Sequence, residues 1–230
     1  MKLFFRISFK ILLILIILSG SATGEEIKET DPDTLLNQGI AFFEKGQYDR
    51  AIAYFNKLIE IDPRNADAYS LRGDVYFEKG QYSSRGDLYV EKDQLDKAFS
   101  DYTKAIEIDP RNADHYIGRG FLFAATGQLD KAFSDFTKAI EIDPRNDDAY
   151  SFRGDVHVEK GQLDKAISDY NKAIEINPRN ADHYSSRGLA YFSKRDYEKA
   201  WDDVHKAESL GSKVDPEFLQ ALREASGRQK

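Results

Sequence analysis

The sequence predicts an all-α array of stacked antiparallel helix pairs, and three observations carry that prediction. Gly86, Gly120, Gly154 and Gly188 recur at a 34-residue step, as do Pro110, Pro144 and Pro178. Self-similarity at this length marks a supersecondary unit repeated along the chain, each copy burying its apolar side against the next. Within a unit, small or apolar residues fall at positions 4, 8 and 11 and again at 20, 24 and 27, two stripes at helical spacing. Gly46, Gly127 and Gly161 separate the two stripes, and Pro63, Pro110, Pro144 and Pro178 end the second.

Taken in chain order, residues 1–24 begin with Lys2, Arg6 and Lys10 and no acid, continue apolar from Ile11 to Leu18, and end in small residues from Ser19 to Gly24. That order is a secretory signal, and its apolar run is short for a bilayer span. Cleavage after Ala22 or Gly24 and release to the periplasm or cell exterior is the expectation. An inner-membrane anchor formed by residues 1–18 is its alternative. Leu18-Ser19-Gly20-Ser21 resembles a bacterial lipoprotein signal with serine in place of the lipidated cysteine, which excludes lipid attachment there. Residues 25–31 are a short polar linker.

The array itself occupies residues 32–214, as blocks 32–65, 79–112, 113–146, 147–180 and 181–214. Asn65, Asn112, Asn146 and Asn180 stand where N-caps belong, with Asp67, Asp114, Asp148 and Asp182 in the first turn at the positive end of each helix dipole. In the block 113–146 the first helix presents Tyr116, Gly120 and Phe123 and the second Ala132, Phe136 and Ala139, so that small residues bring the axes together and rings fill the space beside them. The period is broken once: Tyr69–Gln81 is repeated almost letter for letter as Tyr82–Gln94, making residues 66–78 an extra copy of a first helix. A continuous, kinked helix over 66–92 turns its two apolar faces about 220° apart, whereas a break at Gly80 adds a third helix and reverses the downstream alternation; the first is favoured. The last block drifts, with Arg195 for the turn glycine, Val204 for the aromatic and Ser212 for the proline, as terminal repeats do. After it, Asp215 and Pro216 open a capping helix within residues 215–230, with Phe218, Leu219, Leu222 and Ala225 on one side.

An aromatic at 4, Gly at 8, Tyr or Phe at 11, Ala at 20, Phe or Tyr at 24, Ala at 27 and Pro at 32 together resemble the tetratricopeptide repeat, over nearly all of residues 32–214. The resemblance implies a right-handed α-solenoid whose first helices line a concave groove for peptides or protein surfaces. It places groove side chains at positions 5, 9, 12 and 13: Leu36, Ile40, Phe43, Glu44, Asp87, Val90, Glu91, Ile117, Phe121, Ala124, Asp155, Val158, Glu159, Leu189 and Phe192. Among these, Phe121 is expected to face a ligand rather than the core. Repeat domains that clamp chaperone carboxylate tails resemble one another in Lys at 5 and Asn at 9. Here those positions hold Leu36 and Ile40, Ser83 and Asp87, Ile117 and Phe121, Ser151 and Asp155, or Ser185 and Leu189, so chaperone tails are not expected as ligands. A partner with apolar anchors and basic residues fits better.

Composition and the remaining motifs narrow function further. The formal charge is −7, and removal of residues 1–24, with three basic residues and no acid, takes it to −10; such a surface repels phosphate backbones, so nucleic acid is not expected as a partner. Contact with a membrane is expected only through an uncleaved N-terminal segment. There is no cysteine, hence no disulfide, thiolate metal site or cysteine nucleophile. Arg-Gly-Asp occurs at 72–74, 85–87 and 153–155, but its glycine is the mid-helix contact position rather than part of an exposed loop, so packing is the better reading than adhesion. His115, His157, His183 and His205 lack metal-ligand spacing, and Gly118-Arg119-Gly120 follows no strand, so no metal or cofactor is expected. Arg72, Arg85, Arg119, Arg153 and Arg187 sit beside the packing glycine, and Asp101, Asp135, Asp169 and Asp203 at position 23 of the second helices, an expected ladder of ion pairs within or between units. No set of residues forms a nucleophile with its base, a metal cluster or a phosphate loop. The expected function is a non-catalytic scaffold for protein binding; a self-associating solenoid or a membrane-anchored assembly factor is the alternative.

Overall fold

The computed structural model describes residues 27–28, 30–82 and 92–228, which form eleven helices. These are α1 (Pro32–Glu44), α2 (Tyr48–Ile61), α3 (Ala66–Tyr82), α4 (Lys92–Ile108), α5 (Ala113–Ala125), α6 (Leu129–Ile142), α7 (Asp147–Glu159), α8 (Leu163–Ile176), α9 (Ala181–Ser193), α10 (Tyr197–Ser209) and α11 (Pro216–Ser226). Each helix packs on the one before and the one after it, most extensively within the pairs α1–α2, α3–α4, α5–α6, α7–α8 and α9–α10. The array is therefore an all-α solenoid of helix pairs. Residues 1–26, on which the export signal falls, lie outside the described residues, and no described helix is long and apolar enough to cross a membrane.

Local chemistry sets the ends of the helices. Asn65, Asn112, Asn146 and Asn180 accept first-turn amides from Ala68, Asp114, Ala149 and Asp182 at 2.8–3.1 Å, each cap contributing about 1 kcal/mol. The turn from first to second helix needs a left-handed residue. Gly46, Gly127 and Gly161 supply it at φ of +68°, +74° and +70°, and Arg195 is held at +64° where the last unit has no glycine.

One contact repeats through the array. Ala51, Phe55, Ala98, Ala132, Phe136, Ala139, Ala166 and Ala173 are fully buried, and Tyr102 and Tyr170 nearly so, each ring burial contributing roughly 2 kcal/mol. The rings press on the glycines of the first helices. A Cβ built on Gly39 falls 2.5 Å from Phe55 Cε1, on Gly120 2.8 Å from Phe136 Cε1 and on Gly154 2.7 Å from Tyr170 Cε1. Gly118, the other half of the Gly-x-Gly, meets the Tyr102 ring of the preceding unit in the same way.

The duplication is accommodated differently from either expectation. α3 runs through Gly80 to Tyr82, 17 residues against 13 for α1, α5, α7 and α9. α4 also has 17 residues, against 14 for α2, α6 and α8. Arg72 and Asp74 of α3 bond Asp101 and Tyr102 of α4, as Arg153 and Asp155 of α7 bond Asp169 and Tyr170 of α8. The first copy thus supplies the first helix of this unit, the place that the period assigned to residues 79–91. Residues 83–91 lie outside the described residues. α5 packs on α4, so first and second helices keep alternating downstream.

At the C-terminal end, α11 lays Phe218, Leu219 and buried Leu222 on Trp201 and Val204 of α10. Trp201 Nε1 donates to Ser226 Oγ at 3.0 Å, which fixes the helix over the last unit.

Candidate functional site

First helices approach one another across three of the four unit boundaries, α1 with α3, α3 with α5 and α7 with α9, whereas no pair of second helices comes as close. A stack spaced more tightly along one side curves toward that side, which makes the first helices its inner wall. Asp87, Val90 and Glu91, three of the expected groove residues, lie outside the described residues. The rest are on first helices, with unequal exposure. Leu36, Ile40 and Phe43 are half-buried against the cluster of Ala51, Phe55 and Val75, and Ile117, Phe121 and Ala124 against that of Ala132, Phe136 and Val156. Val158 leans on Tyr170 and Ala190, and Phe192 on Trp201 and Phe218. Glu44 and Glu159 are exposed, and Leu189 is 48% exposed, one of two large apolar side chains so open among the described residues.

Phe121 departs from its expected role. Its ring centre lies 4.1 Å from that of Phe152 and 5.9 Å from that of Phe136, edge to face with both, so it joins two units as well as bordering the wall. The apolar side chain offered most freely to a ligand is Leu189.

Each letter of the Arg-Gly-Asp triplets at 72–74 and 153–155 has a packing task, while the triplet at 85–87 lies outside the described residues. Arg72, Arg119, Arg153 and Arg187 form two-point bonds with the buried carboxylates of Asp101, Asp135, Asp169 and Asp203 at 2.6–2.9 Å. Each guanidinium also lies over a neighbouring tyrosine ring, as Arg153 over Tyr150. The ladder extends between units, since Arg72 also bonds Asn56 and Arg187 also bonds Asn171. The glycine receives the ring of the second helix. The aspartate takes that ring's hydroxyl: Tyr102 donates to Asp74 at 2.5 Å and Tyr170 to Asp155 at 2.6 Å. Burial pushes both carboxyls up from the ordinary 3.8 to about 7, against the hydroxyl bond, with Glu78 and Glu159 adding like charge.

Asp74 and Glu78 are wall residues absent from the sequence-based set, because the period gave their unit to the second copy. A sequence signal for them exists: tyrosine stands at position 24 where aspartate stands at 9 (Asp74 with Tyr102, Asp155 with Tyr170), and phenylalanine where position 9 is apolar (Ile40 with Phe55, Phe121 with Phe136).

The histidines take structural contacts. His157 Nδ1 is 2.9 Å from Gln162 Oε1, His205 stacks on Trp201, and buried His115 lies 4.0 Å from Asp67. His183 Nε2 meets Asp147 Oδ2 at 2.8 Å, and Asn177 donates to the same oxygen. With Asp148 these donors come within 4.8 Å of one another. A ligating imidazole needs an acceptor for its other nitrogen, and the buried His183 Nδ1 has none, so this is a hydrogen bond across the unit boundary. Lys79, Lys160 and Lys194 each pair with an aspartate of the preceding second helix, Asp49, Asp130 and Asp164, fastening one unit to the next.

Known proteins agree with this architecture. A family model described as TPR repeat matches residues 39–80, 86–127 and 154–194, and one described as tetratricopeptide repeat matches 113–146. DnaJ protein P58IPK homolog B of Oryza sativa subsp. japonica is 30% identical over 81 residues, 34% of this chain, and the match spans 17% of that protein's length. The crystal structure of MamA is 27% identical with a TM-score of 0.60, over 80% of this chain and 96% of that one. PilF of Pseudomonas aeruginosa is similar in fold, with a TM-score of 0.72 at 18% identity over 85% of this chain and 84% of its own.

Proposed function

Because the chain belongs to the tetratricopeptide repeat family, we propose that it is a non-catalytic scaffold whose inner wall holds a peptide or protein surface outside the cytoplasm. The observation that carries this reading is Leu189, an apolar side chain left 48% exposed on a wall of first helices. Exposed apolar area on a rigid concave face is the usual mark of a recognition surface. The acidic charge of the chain argues against nucleic acid as the partner. The basic, apolar and small-residue order of residues 1–24 supports export, which N-terminal sequencing of the mature protein tests directly.

A photoreactive amino acid placed at Leu189 tests the binding reading, with Lys138 of α6 as the control on a second helix. Adducts confined to position 189 in envelope fractions are the expected result. Equal labelling at the two positions removes the groove as the binding face.

A further inference from the structure

The wall alternates in chemistry from one unit to the next. At positions 9 and 13 of the first helices, α3 carries Asp74 and Glu78, α5 carries Phe121 and Ala125, α7 carries Asp155 and Glu159, and α9 carries Leu189 and Ser193. In α3 and α7 the two carboxyl groups are four residues apart on one helix face, an arrangement that, once both are ionised, weakens a helix by a few tenths of a kcal/mol. The nearby arginines do not neutralise them, since Arg72 and Arg153 are turned to Asp101 and Asp169. Tyr170 occupies one oxygen of Asp155 and no other described residue bonds the second, which leaves it for a ligand. The same holds for Asp74 beside Tyr102.

Resting on the groove reading above, we propose that the wall selects an extended segment in which arginine or lysine alternates with apolar side chains at about three-residue steps. The step follows from successive first helices set about one helix diameter apart, roughly 10–12 Å, and an extended chain that rises about 3.3 Å per residue. The cations fall on the Asp74–Glu78 and Asp155–Glu159 pairs, and the apolar side chains on Phe121 and Leu189. A guanidinium laid between two carboxylates gains charge-assisted hydrogen bonds and removes their mutual repulsion. The hydroxyls of Tyr102 and Tyr170 hold the aspartates in place for this contact.

The test is fluorescence anisotropy of the purified protein with a labelled peptide that repeats Leu-Ser-Ser-Arg-Ser-Ser, and with analogues carrying Gln or Glu for Arg. The arginine peptide is expected to bind about tenfold tighter than the glutamine one, the gap closing with added salt. That preference is expected to vanish in the double variant Glu78→Gln and Glu159→Gln, both changes sparing the packing contacts. Equal binding of all three peptides, or an arginine preference unchanged in the double variant, overturns the proposal and leaves the groove reading standing. No binding by any peptide also overturns it; only if adducts at position 189 are missing as well does the groove reading fall with it.

Discussion

Asp155→Asn should remove a contribution that makes the native chain less stable as the pH rises from 5 to 8. The folded Asp155 carboxyl is pushed by burial from 3.8 to about 7, so it keeps its proton in a range where the unfolded one has lost it. Its favourable contribution is complete below about pH 4, erodes as pH rises and is gone above about pH 7. Each tenfold gain in proton affinity on folding is worth about 1.4 kcal/mol, so the loss between pH 5 and 8 is at most about 2–3 kcal/mol. Asp155 is only half-buried, and screening by solvent lowers that to about 1 kcal/mol. Asparagine keeps an oxygen for the Tyr170 hydroxyl and never ionises, while Asp74 titrates in both proteins and cancels. Urea denaturation followed by circular dichroism at the two pH values should show the midpoint of the variant falling less than that of the parent, by about 0.5 M for ordinary m-values. Parallel midpoints across this range would refute the account of the Asp155–Tyr170 contact.

Arg195→Gly should raise the stability of the last unit by about 0.5–1 kcal/mol. It relieves a left-handed backbone at φ +64°, partly offset by the freedom glycine adds to the unfolded chain; calorimetry showing no rise in Tm contradicts this. A double-mutant cycle with Arg119→Ala and Asp135→Ala should give a coupling of about 1 kcal/mol or more, because both atoms of the fork are engaged and Asp135 is only 8% exposed. Additive single-variant effects would remove the ladder as a source of stability.

Much of the fold was legible because each signal is local and recurs. The asparagine caps, the turn glycines and the ring-accepting glycines occupy the same place in unit after unit, and their physical tasks need no knowledge of distant residues. The placing of the duplication was not legible, since residues 72–74 and 85–87 are both Arg-Gly-Asp and periodicity cannot say which copy packs. Contacts among the described residues decide it: Asp101 and Tyr102 bond Arg72 and Asp74, which belong to the first copy. The wall was legible only as positions. That Phe121 wedges between Phe136 and Phe152 while Leu189 is left open depends on the neighbouring unit, which offers Phe152 to one and nothing comparable to the other. The tyrosine hydroxyls on Asp74 and Asp155 were hidden for another reason: each half of the pair fits the repeat by itself, and the link shows only when positions 9 and 24 are compared together.

The additional turn carried by α3 has a geometric outcome. Four more residues lengthen it by about 6 Å, so α3 reaches past the level at which α1, α5, α7 and α9 end.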